Sequence, residues 1–461
     1  MTHAPGIVHF GPGAFHRAHQ GDFIDRLLRD DPRWGIAAAS LRSAGTVEKL
    51  KRQNGRYTLA ILDEQPAYRT LHAHREWFGP EESVGLRARL RHPATRLVTA
   101  TVTEKGHCLA ADGTLDFGHP DILHDLAAPN QPHSLIGWLA LALADRHADR
   151  EPPFATITCD NMASNGRKLA AAVTAFAQRI DADLARWIEG EARFPDTMVD
   201  AITPATTDDL RARVAAATGW RDAAPVCRES YAAWVIEDVL PGDGPDLAAA
   251  GAILTSNVAA WEQAKLRLLN GAHSTLAYAG LMGGHETVAA AMDDPVLAAF
   301  VERMMREDIA ATLTSAAPEP QRYIEELLQR FRNPAIGHKL SQIAWDGSQK
   351  LPYRLLDTLT DLRRSGRPIH RIALAIAAWM AFIRRQAQAG APIVDPLAEA
   401  LTTAGRGADP ARALLEMTAI FPPGLASDAL VRGAILDAID RIDNIGVHTA
   451  LAATMEEAQF A

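Results

Sequence analysis

Gly6-Ile7-Val8-His9-Phe10-Gly11-Pro12-Gly13-Ala14-Phe15-His16-Arg17-Ala18-His19-Gln20 reads as a short apolar strand running into a glycine turn. A helical pattern follows through Phe23, Ile24, Leu27 and Leu28. Strand, glycine turn and helix in that order form the entry to a dinucleotide-binding unit. Gly11 and Gly13 let the backbone approach a pyrophosphate, which then sits at the helix N-terminus. His16 stands where the usual fingerprint has its third glycine, so a plain strand-to-helix turn is the alternative.

The strands that follow extend this reading. Gly35 to Leu41 is an apolar run, and an acidic residue at its end would bind the adenosine ribose hydroxyls of NAD. Arg42 and Ser43 follow instead, which leaves room for a 2′-phosphate and keeps NADP open beside NAD. Arg96 to Val102 is β-branched and apolar, as a buried parallel strand should be, and ends in Thr103-Glu104-Lys105-Gly106-His107. Polar residues just past the carboxyl end of such a strand lie where ligands bind in open α/β sheets. Phe154 to Cys159 repeats the pattern and ends in Asp160-Asn161, where Asn161 could lend an amide donor to a substrate oxygen or simply serve as a turn residue. Met198 to Pro204 reads as a further strand with a carboxylate, Asp200, inside it; an acid in that setting needs a partner.

Strands and helices alternate over roughly the first 250 residues, and from Asn257 onward alanine- and leucine-rich helical periodicity takes over. The expected organisation is an α/β Rossmann-like domain over 1–256 and a mostly α-helical domain over 257–461. Within the second, Trp261 to Ser274 carries the chemistry. Read as an α-helix, Lys265, His273 and Asn270 fall at roughly 0°, 80° and 140° around the axis. Leu268, Leu269, Ala272 and Leu276 surround Lys265 with apolar surface. Poor hydration disfavours a charged lysine and makes it a general base; a snorkelling lysine beside a satisfied histidine is the plain alternative. Further on, Asp346-Gly347-Ser348 reads as a turn and Lys350 and Arg354 sit i, i+4, a pair able to clamp a carboxylate or to form an exposed basic helix end.

The chain is 461 residues long, 48% hydrophobic and 22% charged, as ordinary globular proteins are. A net charge of −9 without a basic block gives no nucleic-acid surface. Cys108, Cys159 and Cys227 are too scattered for a disulfide framework or a zinc site, so no metal is expected. The apolar runs Leu135–Ala144 and Ile372–Ile383 are too short to span a bilayer. Met1 to Pro5 lacks the regions of a signal peptide, which points to a reducing cytoplasm and away from membranes.

Several segments together resemble the polyol-specific long-chain dehydrogenases and reductases, the mannitol dehydrogenase family. They are Gly11 to His19, Thr103 to Gly106, Cys159 to Asn161, Asp200 to Thr206, Lys265-x4-Asn270-x2-His273 and Asp346 to Lys350. The resemblance implies zinc-independent hydride transfer at the meeting of the two domains. Lys265 would be the general acid/base, Asn161 and Asn270 would polarise the reacting oxygen, and His273 would orient the substrate. Glu262 would pass the proton to solvent, and Asp200 would bind substrate hydroxyls. Gly11, Gly13, Phe15, Arg42, Glu104 and Lys105 are the expected cofactor contacts, for NAD with NADP not excluded. The stretch Gln342 to Pro352 looks most like the fructuronate reductase (D-mannonate oxidoreductase) branch, whose hexonate carboxylate needs a cation; Lys350 and Arg354 are the candidates. Two features depart from the family pattern: Arg42-Ser43, and His107 where a tyrosine is expected. Mannitol or arabinitol 2-dehydrogenation is the rival activity, and a nicotinamide-binding regulatory protein without turnover is the rival of another class. The expected partner is a small sugar acid or polyol, acted on by a monomer or weak homo-oligomer.

Overall fold

The computed structural model describes residues 3–313 and 318–457, the side chains of Glu104 and Glu457 excepted. The chain divides into two compact units, Met1–Ala259 and Ala260–Ala461.

The first unit is built on five parallel strands: β1 (Ile7–Phe10), β2 (Ile36–Ala39), β3 (His74–Phe78), β4 (Leu97–Ala100) and β5 (Ala155–Thr158). Their order is β3-β2-β1-β4-β5. The chain works outward from β1 in one direction and then restarts on its other side, so the β1–β4 boundary is the topological switch point at which such sheets open a ligand crevice. Alternation along the strands explains the burial. Val8, Phe10, Ala37, Ala39, Val98 and Ala100 pack into one core with the helices Leu135–Asp149 and Asn165–Ile180. Ile7, Ile36, Leu97, Ala155 and Ile157 pack into another with Phe23, Leu27, Trp34 and Trp234. Both faces are covered, so the strands read as continuous apolar runs.

The structure departs from the sequence reading at three places here. The helix after Gly13 is broken: Ala14–Ala18 and Gln20–Leu27 meet at His19, whose backbone leaves the helical region while its buried ring contacts the Ala233 carbonyl oxygen at 2.9 Å. The strand containing Asp200 is Thr197–Asp200, with the acid as its last residue. It lies outside the main sheet, antiparallel to Ala233–Glu237. A hairpin, Tyr57–Leu62 with Ala67–Leu71, pairs with Val226–Glu229 and was not anticipated.

Among its described residues the second unit has helices as its only extended elements, joined by loops and one isolated β-bridge, Thr287 to Lys339. Its centre is His370–Ala389, buried along most of its length, which packs against Gly271–Met282, Ala398–Arg406 and Ala429–Ile445. Among the described residues no helix is long and apolar enough to cross a membrane.

Beneath the glycine turn lies a buried histidine group. His9, on β1, contacts Thr99 Oγ1 on β4 at 2.7 Å and stacks on His16 with ring centroids 3.3 Å apart. His16 and His74 meet Nε2 to Nε2 at 3.0 Å, so one of the two rings presents a bare Nε2 as acceptor and the other donates. Burial pushes His9 and His74 down to about 3 and holds His16 far below its ordinary value. The unfolded chain protonates these rings near pH 6.5, roughly, while the folded one does not. The unfolded state therefore binds more protons below that pH, and stability falls as the pH drops from about 6.5 toward 3, by up to ~1.4 kcal/mol per pH unit per ring. His74→Gln should lower the melting temperature at neutral pH yet flatten its decline in acid. Equal slopes for variant and parent would show that the imidazoles are not the cause.

Candidate active site

Where β1, β2 and β4 end, the first unit opens a crevice of about 420 Å³ whose wall includes Gly11, Arg42, Lys105, His119 and Asp121. Gly11 has φ +84°, and a Cβ there would stand 2.3 Å from the Thr101 carbonyl oxygen, so no other residue fits between β1 and β4. Gly13 is exposed with free space around it. Phe15 is half-buried and stacks on His19 at 5.1 Å. Arg42 is exposed and ion-paired with Asp121, and Lys105 is exposed. The side chain of Glu104 lies outside the described residues.

Asn161 sits in a loop whose neighbouring residues are tied down. It is exposed just past β5, beside Asp160, whose buried carboxylate lies 2.7 Å from His107 Nε2 and accepts from the Met162 amide at 2.9 Å and Asn165 Nδ2 at 3.3 Å. Burial alone would raise the Asp160 carboxyl, but the His107 contact, with the Thr158 hydroxyl, outweighs it and holds the group below the usual range. Asn165 in turn bonds the Thr197 amide at 2.9 Å, at the start of the strand that ends in Asp200. Asn161 and Asp200 are thus mounted on one polar network. The links from Asp160 to His107 and Asn165 were not foreseen; an acid followed five residues later by asparagine was the available signal.

In the second unit the lysine helix is not a simple α-helix. Val258–Ala264, carrying Glu262, passes into a π-helical turn over Lys265–Asn270, and α geometry resumes in Gly271–Met282. The Gly271 amide reaches back to the Leu266 carbonyl, five residues away. The α-helical angles assigned from the sequence are therefore corrected: one extra residue in the turn swings Asn270 back toward the side of Lys265. Lys265 and Asn270 are half-buried, Leu268 and Leu269 buried. His273 is buried against Phe331 and His338, at centroid distances of 4.7 and 5.2 Å.

A second π turn, Pro352–Leu356, packs against the first. Gly271 permits this: a Cβ there would lie 2.9 Å from the Arg354 carbonyl oxygen. Arg354 Nη1 donates to Ser274 Oγ at 3.1 Å and the Asn270 carbonyl at 3.4 Å. Lys350 Nζ donates to the carbonyls of Trp345 at 2.5 Å and Ile343 at 3.4 Å. Burial lowers the pKa of both cations. Neither is the exposed basic helix end that spacing alone allows, because both are half-buried and bonded within the unit.

A doubly wound crevice on one unit and a lysine–asparagine–histidine helix on the other define a two-domain oxidoreductase of the α/β-plus-helical class. The chain belongs to the mannitol dehydrogenase family: residues 5–248 match the mannitol dehydrogenase Rossmann domain and residues 257–443 the mannitol dehydrogenase C-terminal domain. It is 37% identical to D-mannonate oxidoreductase of Escherichia coli (strain K12), over 97% of this chain and 95% of that one. It is 32% identical to mannitol 2-dehydrogenase of Phaeosphaeria nodorum, over 97% of this chain and 81% of that one. Among solved structures, a substrate-free D-sorbitol dehydrogenase is similar, with a TM-score of 0.91 at 28% identity, covering 98% of this chain and 95% of that one. So is the Pseudomonas fluorescens mannitol 2-dehydrogenase ternary complex with NAD and D-mannitol, with a TM-score of 0.83 at 31% identity and the same coverage.

Arg354→Met keeps the stem but removes the donors to Asn270 and Ser274. Leaving buried acceptors unmet should cost about 1–3 kcal/mol in urea-unfolding free energy. Unchanged stability would show that the two π turns hold without the guanidinium.

Proposed function

We propose that the chain is an NAD-dependent, zinc-independent dehydrogenase that interconverts the secondary alcohol of a sugar acid or polyol and its ketone. The substrate pair favoured is D-mannonate and D-fructuronate. The observation that carries the reading is the π turn, which gathers Lys265 and Asn270 on one side of a helix with His273 buried in the next turn. A snorkelling lysine has no need of that geometry. Fit to a dinucleotide is supported by the crevice at the strand ends and by Gly11, whose place a Cβ would fill. When bound, the nicotinamide group supplies the acceptor for the hydride. Gly11, Gly13, Phe15, Arg42, Glu104 and Lys105 would hold the dinucleotide on this chain.

The residues then divide the work. Lys265 Nζ takes the hydroxyl proton in oxidation and returns it in reduction. Asn161 and Asn270 donate hydrogen bonds to the oxygen as it gains negative charge, a stabilisation of roughly 3–4 kcal/mol per donor in comparable sites. His273 orients the substrate, Glu262 carries the proton toward solvent, and Asp200 accepts from substrate hydroxyls. Lys350 and Arg354 put positive charge on the second unit, which suits a carboxylate and favours a hexonate over a neutral polyol. Their desolvation strengthens that attraction. The family also supports mannitol or arabinitol as the rival substrate class. We place the domain boundary near residue 256 and the reaction in a reducing compartment, since all three thiols are buried and free.

Lys265→Ala should lower kcat by orders of magnitude at neutral pH while dinucleotide affinity barely moves. Near-parental turnover would remove the lysine from its role. Steady-state rates with D-mannonate, D-mannitol and arabinitol decide the substrate: equal kcat/KM on mannonate and mannitol would sink the sugar-acid assignment. Dinucleotide binding without turnover of any of them would favour the regulatory reading.

A further inference from the structure

An NAD site needs an acceptor for the adenosine ribose hydroxyls, and the usual one is an acid at the end of the second strand. Here β2 is followed by Ser40-Leu41-Arg42-Ser43, which offers none. Among the described residues lining the crevice, Asp121 is the one carboxylate. It comes from elsewhere in the chain, in the first turn of the helix Pro120–Ala127, where the backbone favours negative charge. The ring Nδ1 of His119, which caps that helix, accepts from the Asp121 amide at 3.2 Å and so fixes the turn. The Asp121 side chain is only 15% exposed, whereas that of its partner Arg42 is 72% exposed. The acid is the sheltered member of the pair and the guanidinium the exposed one.

We propose that Asp121 replaces the missing acid and that the Asp121–Arg42 pair selects the unphosphorylated ribose of NAD over that of NADP. This rests on the dehydrogenase reading above. With the pair formed, the Asp121 carboxylate can accept from a ribose hydroxyl, and Arg42, the one arginine among the described residues lining the crevice, is paired with a carboxylate. A 2′-phosphate would have to pull Arg42 off Asp121 and then sit beside a carboxylate of its own sign. The pair thus turns an arginine that reads as an NADP signal into part of an NAD site.

The test is equilibrium binding of NADH and NADPH, followed by fluorescence, alongside kcat/KM for both. The parent should bind NADH at least tenfold more tightly than NADPH. Asp121→Asn frees the guanidinium and should narrow that ratio by tenfold or more. Arg42→Ala, at an exposed position where folding is not at stake, should move the ratio the other way by leaving Asp121 unopposed. The double variant should lose the NADPH gain of Asp121→Asn. Ratios unchanged within twofold in both single variants, or a parent that prefers NADPH, would overturn the proposal. A parent that binds neither dinucleotide would overturn the dehydrogenase reading itself, and this proposal with it.

Discussion

The wide turn at Lys265–Asn270 is the constraint on which the rest of the second unit depends. An α-helix puts residues five apart well around the axis from each other, and only an added residue in the turn brings them back to one side. Wide turns are uncommon because they loosen backbone packing, so they persist where neighbours hold them. Here the neighbour is another wide turn, Pro352–Leu356, and the contact is close enough that position 271 has no room for a side chain. A third, Met304–Ile309, contains Asp308, which is buried and bonded by Arg371 at 2.6 Å. Arginine serves each time as the long, multiply donating clasp that a distorted helix requires.

The first unit solves a different problem. Its sheet must carry polar groups to the carboxyl ends of strands that are apolar on both faces. It does so through small residues and neutral rings. Ala37, Ala38 and Ala39 leave space beside β1, and His9 fills a buried position by bonding Thr99 across the sheet rather than by carrying charge. The same logic governs the loop after β5. Asp160 is buried yet held below the usual carboxylate range, since His107, Thr158, Asn165 and the Met162 amide satisfy it, and Asn161 faces outward beside it.

Much of this was legible in the sequence. The order strand, Gly-Pro-Gly, helix gave the crevice, because a glycine turn after an apolar run has a physical meaning that survives without context. The shift to alanine- and leucine-rich periodicity marked the helical unit. What stayed hidden depended on contacts between distant residues. Periodicity at 100° per residue cannot reveal a π turn, because the pattern of Leu266, Leu268 and Leu269 suits either register. Arg42 looked like a free cation since Asp121, its partner, lies 79 positions further on. His19 sat inside a plausible helix, and only the carbonyl of Ala233 shows why the helix breaks there.

His107 marks where a departure from the family pattern acquires a structural account. A tyrosine was expected after Glu104-Lys105-Gly106, and an imidazole stands there instead. Its Nε2 lies 2.7 Å from the Asp160 carboxylate, and that contact helps hold the acid below the usual carboxylate range. Through Asp160 and Asn165 that stabilisation reaches both the loop of Asn161 and the strand of Asp200. The residue at position 107 therefore bears on how the loop after β5 is held.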